Sequence, residues 1–246
     1  MSIINVDQKY VNGNLVFHKA DNPDIWYDAI GPTVHKYYED FNGPTVTGAD
    51  NADPVGWTVT AIAGDAGAGT ITVANEAGGA VIITPDATEN DGIEIQFNNE
   101  AWTLTAGDPL SFHARLKVLD ADQMDVLVGL CITDTTLMAG LSDGVYFLSA
   151  DESAVIGGVC ELDSAASTSA STATLTDVTY SELDFYYDGA GSVRFYVDGV
   201  LVDTVTETSA TNICTDEALT FSIGTLTGEG TANTVTLDQI RIIQCQ

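Results

Sequence analysis

The sequence predicts an all-β sandwich preceded by an extended N-terminal arm, and three observations carry that reading. Thr, Val, Ala, Gly and Asp dominate the composition; β-branched residues fit a pleated, half-buried surface, while Gly and Asp suit the turns between strands. About a dozen short apolar or alternating segments recur between turn signals, and no stretch keeps a helical period. A chain of 246 residues buries roughly 70–75% of the surface its unfolded form exposes, so it folds without a metal or disulfide staple.

Residues 1–41 hold seven of the twenty aromatics (Tyr10, Phe17, Trp26, Tyr27, Tyr37, Tyr38 and Phe41), along with His18, His35, Pro23 and Pro32. Their apolar pieces, 15–17 and 25–27, are separated by Asn, Gly and Pro and keep neither a helical nor an alternating period. This reads as an extended arm whose anchors Phe17, Trp26, Tyr27, Tyr37 and Tyr38 bury against another surface, either the chain's own sandwich or a neighbour. The punctuated stretch 42–56 reads as a linker to a sandwich over 57–246. Removing residues 1–41 is therefore expected to leave the sandwich folded.

Within the sandwich, strands are expected over 57–63, 69–74, 80–84, 93–97, 110–119, 125–133, 144–149, 154–162, 174–187, 192–205, 218–224 and 234–244. The run Ile93-Glu94-Ile95-Gln96-Phe97 alternates as a half-buried strand does. His113, flanked by Phe112 and Ala114, reads as a half-exposed strand side chain. The Ser/Thr/Ala tract 164–174 reads as a polar loop. Asp198-Gly199 marks a tight turn that favours positive φ.

The formal charge is −29 and lies almost wholly in the body: residues 1–38 carry three lysines against four acids, the remainder four bases against 32 acids. Nucleic acids and anionic membranes bind through Lys and Arg clusters, so neither is an expected partner. The apolar run 126–132 is too short to span a bilayer. The opening residues Met1 to Asp7 lack the basic and apolar regions of a secretory signal, so synthesis in a cytosol is expected. Cys131, Cys160, Cys214 and Cys245 show no C-x-x-C spacing and read as buried, reduced thiols. No cofactor is expected; Asp120, Asp122 and Asp125 lack the glycine and distal glutamate of an EF-hand loop but leave a looser surface calcium site open.

The segment from Asp184 to Val202 joins two aromatic-rich strands through a Gly-bearing hairpin and runs on through Tyr196-Val197-Asp198-Gly199. It resembles the central hairpins of concanavalin A-like, laminin-G-like jelly rolls, and 236–243 resembles their closing strand. The resemblance spans 57–246 and implies a jelly-roll sandwich; members of that superfamily serve as lectins, glycosidases and virion surface proteins, so fold alone does not select among them. Family-16-like glucanases on this fold place carboxylates at alternate positions of one strand. Glu182 and Asp184 share a face, but Tyr186 stands where the third carboxylate would follow and Asp188 falls in the turn. A non-catalytic protein is therefore expected.

Three classes follow. The first is a decoration protein of a tailed-phage capsid: made in the host cytoplasm, displayed on the virion surface, held through its arm to a major capsid protein or other lattice protein, and assembled as a trimer or dimer. The second is a lectin-like module that binds a cell-surface glycan on the Trp57 and Trp102 rings. The third is a glycosidase, tested by Glu182→Gln.

Overall fold

The computed structural model describes residues 5–42, 48–49, 56–62, 69–150, 153–168, 172–207, 212–228, 230 and 233–246. Four strands come from the first part of the chain: β1 (Val6–Val11), β2 (Asn14–Lys19), β3 (Asn22–Ile30) and β4 (Val34–Glu39). They are followed by β5 (Gly48–Ala49), β6 (Trp57–Ile62), β7 (Thr70–Val73), β8 (Val81–Thr84), β9 (Gly92–Phe97), β10 (Trp102–Thr103), β11 (Leu110–Val118) and β12 (Met124–Cys131). After the single-turn helix α1 (Leu137–Gly140) come β13 (Gly144–Ser149), β14 (Val155–Leu162), β15 (Ala165–Thr168) and β16 (Ala173–Thr174). The chain ends in β17 (Ser181–Tyr187), β18 (Ser192–Val197), β19 (Val200–Thr206), β20 (Ala218–Thr227) and β21 (Val235–Cys245).

Two antiparallel sheets face each other. The first runs β15-β14-β13-β12-β20-β9-β6, and the second β19-β18-β17-β11-β21-β8-β7-β5. Alternate residues of the facing strands fill the space between them: Phe112 lies parallel to Phe185 at 4.6 Å, and Phe147 meets Phe195 edge-on at 5.3 Å. These offset and edge-on pairs suit the ring quadrupole. Asp198 and Gly199 take φ of 52° and 77°, which turns β18 back into β19. The tract read as a loop over 164–174 instead contributes β15 and β16, both paired with β14; residues 169–171 lie outside the described residues.

The reading of residues 1–41 as an extended arm is corrected. Asn12 and Gly13, at φ of 50° and 80°, make a tight hairpin between β1 and β2, and β3 completes a three-stranded sheet. Through β3 that sheet lies on the outer face of the second sheet, with Trp26 fully buried against Tyr186 at 5.5 Å. Strand β4 belongs to the sandwich itself: it pairs with residues 240–245 of β21, while β8 pairs with 235–237 of the same strand. Phe41 is buried in the main core against Trp57. Most of the expected linker lies outside the described residues; Gly48 and Ala49 within it pair with β7.

The first sheet is covered too. Residues 137–141 lay Leu137 and Leu141 over Leu127, Cys131, Tyr146 and Val159. Glu94 and Gln96, expected on a solvated strand face, are buried beneath this segment. Glu94 accepts from Met138 N at 3.0 Å, and Gln96 accepts from Asp134 N and donates to Ile132 O, each at 2.9 Å.

Candidate functional site

The side chains with the most chemistry stand on the outer face of the second sheet, where antiparallel register aligns them in rows. His113 on β11 is opposite Asp184 on β17 and Arg241 on β21, and the row continues to Tyr196 on β18 and Tyr38 on β4. The next row sets Arg115 between Glu182 and Gln239; the row before sets Ser111 between Tyr186 and Ile243. Period-two alternation sends the nine on β11, β17 and β21 outward because Phe112, Ala114, Leu183, Phe185, Ile240 and Ile242 take the core side.

The N-terminal sheet covers these rows unequally. Trp26, Tyr186 and Ile243 share a small apolar cluster, and Ser111 Oγ donates to Asp24 O at 3.1 Å. Asp24 ties the layer down: Arg194 donates Nε to Oδ2 at 2.6 Å and Nη2 to Oδ1 at 3.1 Å, and Tyr196 Oη donates to Oδ2 at 2.5 Å. These bonds push the Arg194 pKa above its ordinary value. Further along, the layer lifts away. The space beneath it is a cavity of about 730 Å³, lined by His113, Arg115, Glu182, Gln239 and Arg241 from the sheet and by Lys19, Asp21, Ile25 and Tyr27 from above. A second cavity, of about 450 Å³, lies toward Lys36, Tyr37 and Tyr38; Tyr27 and Arg241 line both.

His113, Asp184 and Arg241, the middle of the first row, are buried and incompletely satisfied. His113 is 5% exposed, and its Nδ1 lies 2.8 Å from Asp184 Oδ1. Asp184 Oδ2 and Arg241 Nε have no hydrogen-bond partner. Arg241 is 7% exposed, donates Nη1 to Gln239 Oε1 at 3.3 Å, and stacks over the Tyr27 ring at 5.3 Å. Burial holds its pKa below the usual arginine value and raises that of Tyr27.

Of the five expected anchors, Trp26 and Tyr37 are packed within the chain, Tyr37 4.6 Å from Phe97; Phe17 is half-buried, Tyr27 walls the cavities and Tyr38 is exposed. The glycan platforms are corrected: Trp57 and Trp102 are 5% and 6% exposed and pack with Phe97 in the core. His113, expected half-exposed, is buried because the N-terminal layer covers it. Asp120, Asp122 and Asp125 do not bring ligand atoms together. Among the described residues, Asp143, Cys214 and Asp216 do, within 4.8 Å. Yet Asp143 already accepts from Ser142 Oγ and Asp163 N, and burial pushes the Cys214 thiol up to about 12, so the sulfur is protonated at neutral pH.

A profile of the concanavalin A-like lectin/glucanases superfamily, of the Laminin_G_3 type, matches residues 88–245, well over half of the chain. The chain belongs to this superfamily. Solved structures agree on the concanavalin A-like fold. An endo-1,3-beta-glucanase from Streptomyces sioyaensis aligns at a TM-score of 0.60 and 15% identity, over 89% of this chain and all 100% of that one. The potassium-bound carbohydrate recognition domain of Emp46p aligns at 0.54 and 9%, over 76% and 88%; the apo Crh5 transglycosylase at 0.55 and 14%, over 84% and 83%. At these identities the likeness is one of fold. No curated protein matches the chain. The profile covers β9 to β21, and thus every sheet residue lining the larger cavity; the layer that roofs it is built from residues before the match.

Proposed function

We propose that the chain is a non-catalytic, lectin-like binding module whose saccharide site is the roofed cavity on the second sheet. One observation carries this reading: two adjacent rows converge donors and acceptors of mixed kind, Arg115, Arg241, Gln239, His113 and Glu182, on a cavity of about 730 Å³ with the Tyr27 ring at one wall. Sugar hydroxyls both donate and accept, and a few placed polar groups beside an aromatic face suit them. Carbohydrate recognition domains and glycosidases share the fold. Against catalysis stands the strand itself. Glu182 is exposed, Asp184 is held by His113, and Tyr186, at the third alternate position, packs under Trp26. A retaining pair needs two carboxylates free to flank the scissile bond.

The test is a panel of soluble oligosaccharides titrated calorimetrically and assayed for hydrolysis. We expect at least one to bind, a loss of about tenfold or more in Gln239→Ala, and no hydrolysis that Glu182→Gln abolishes. A panel without binding, or turnover that disappears in Glu182→Gln, would sink this reading.

A second reading places the module on a phage capsid, attached to a lattice protein. Its support is that Val6, Tyr10, Ile30 and Tyr38 are exposed apolar side chains gathered on the first 38 residues, and that β1 is an edge strand. Attachment would then use the outer surface of the N-terminal layer, as a dimer or trimer on a symmetry axis, rather than an unfolded arm. Val6→Ser/Tyr10→Ser/Ile30→Ser is expected to fold normally and to lose co-sedimentation with capsids; full retention on the particle would refute this reading.

A further inference from the structure

All seven lysines and arginines of the chain lie on one side. Arg115, Lys117, Arg194 and Arg241 point outward from the second sheet, Lys36 lies on its strand β4, and Lys9 and Lys19 lie in the layer over it. In a protein of net charge −29 the few positive side chains are thus concentrated on and over one sheet. The larger cavity sits among them, with Lys19, Arg115 and Arg241 against the carboxylates of Asp21 and Glu182.

The three arginines are not alike. Arg115 is paired with Asp238, and Arg194 grips Asp24 through two nitrogens. Arg241 is the most buried of the three and has no ion pair among the described residues, although the chain carries 36 acids. Asp184 shares its row but stands two strands away, about 9–10 Å at ordinary strand spacing, with Oδ1 committed to His113. A buried guanidinium is ordinarily matched by a carboxylate, because an unmatched one keeps its desolvation cost without the compensating contact. Here Nε is unbonded and the group faces the cavity.

We infer that the cavity takes an acidic saccharide, one whose ring bears a carboxylate, and that this carboxylate docks on the Arg241 guanidinium. The inference rests on the saccharide-binding reading above and adds the class of sugar. A planar carboxylate fits the guanidinium fork, and the hydroxyls of the same ring meet Gln239, His113 and Glu182. Arg115, already paired, contributes field rather than a direct bond.

The experiment titrates the full chain with oligogalacturonate and with the matching neutral galacto-oligosaccharide, and with the glucuronate and glucose pair, at 20 mM and 500 mM sodium chloride. The expected result is binding of an acidic member, weakened by salt and preferred over its neutral partner by about tenfold or more. Arg241→Gln abolishes the preference, and Arg241→Lys restores charge but not full affinity. Because Arg241 is buried without an ion pair among the described residues, Arg241→Gln is expected to melt no lower than the parent; a large fall in melting temperature together with unchanged acid preference would mark a merely structural residue and overturn the assignment. Equal binding of acidic and neutral partners overturns the acidic class while leaving the saccharide site standing. Binding of neither pair, with a neutral sugar of another type bound elsewhere on the panel, also overturns it. Gln239→Ala, on the same wall, provides a second variant should Arg241→Gln misfold.

Discussion

At the scale of single residues, burial is what gives side chains their character here. Glu94 sits beneath the 132–141 segment with Oε2 unbonded, and desolvation pushes its carboxyl up to about 7 despite the Met138 N–H bond. The folded chain therefore keeps a proton that the unfolded chain releases above about pH 4.5. Its contribution to stability is full below that pH and is lost as pH rises through about 7. Glu94→Gln keeps the acceptor for Met138 N and removes the charge. Urea unfolding at pH 8 is expected to show the variant more stable than the parent by about 1–3 kcal/mol, with little difference at pH 5. A parent whose stability rises between pH 5 and 8 relative to the variant would contradict this assignment. The alternation of Ile93-Glu94-Ile95-Gln96-Phe97 was legible as a strand, and the apolar side does face the core. What the pattern could not tell is that a later loop would bury the polar side, since that depends on contacts some forty residues away, at Asp134 and Met138.

At the scale of elements, the body's strands were legible because apolar and polar residues alternate between a dry core and an outer face. The N-terminal strands were not. In β2 the inward residues are Asn14, Val16 and His18, while Leu15, Phe17 and Lys19 are half-buried. Asn14 is satisfied by Thr33 Oγ1 at 2.9 Å, and His18 Nδ1 lies 2.9 Å from its neighbour's carbonyl, so polar residues occupy the buried face and hide the period. The local signal that survived was Asn12-Gly13, a pair that favours the positive φ of a two-residue hairpin. Strand β4 bears directly on truncation. Deleting 1–41 would strip residues 240–245 of β21 of their β4 partner and leave them paired only with β11, remove Phe41 from beside Trp57 and uncover Tyr186. Losing one such ring typically costs about 3–5 kcal/mol. A chain starting at residue 42 is therefore expected to lack a cooperative thermal transition by circular dichroism, whereas one starting at residue 34 keeps β4 and melts cooperatively at a lower temperature. Equal melting of the two truncations would show that β4 is dispensable.

At the scale of the whole molecule, charge and layering coincide. One side of the sandwich gathers every lysine and arginine, with acids such as Asp24, Asp184 and Asp238 among them, while the strands of the other sheet carry none of these bases. Composition revealed the excess of acids but not its geography, because the bases are scattered from Lys9 to Arg241 and only strand register brings them together. The candidate site was legible to the same partial degree. Glu182 and Asp184 were visible as alternate carboxylates on one strand; His113, Gln239 and Arg241 became their neighbours only through the pairing of β17, β11 and β21.

The clasp between β4 and β21 also sets an order of events during synthesis. Glu39 pairs with Ile240, about two hundred residues later, so at ribosomal speeds of roughly 5–20 residues per second the early strand waits on the order of ten seconds or more for its partner. Until then the Tyr37 ring lacks its place against Phe97 and the sheet stays open along that side. Closure of this sheet is thus gated by the arrival of β21, and a ribosome stalled before residue 235 would hold a nascent chain that cannot close it.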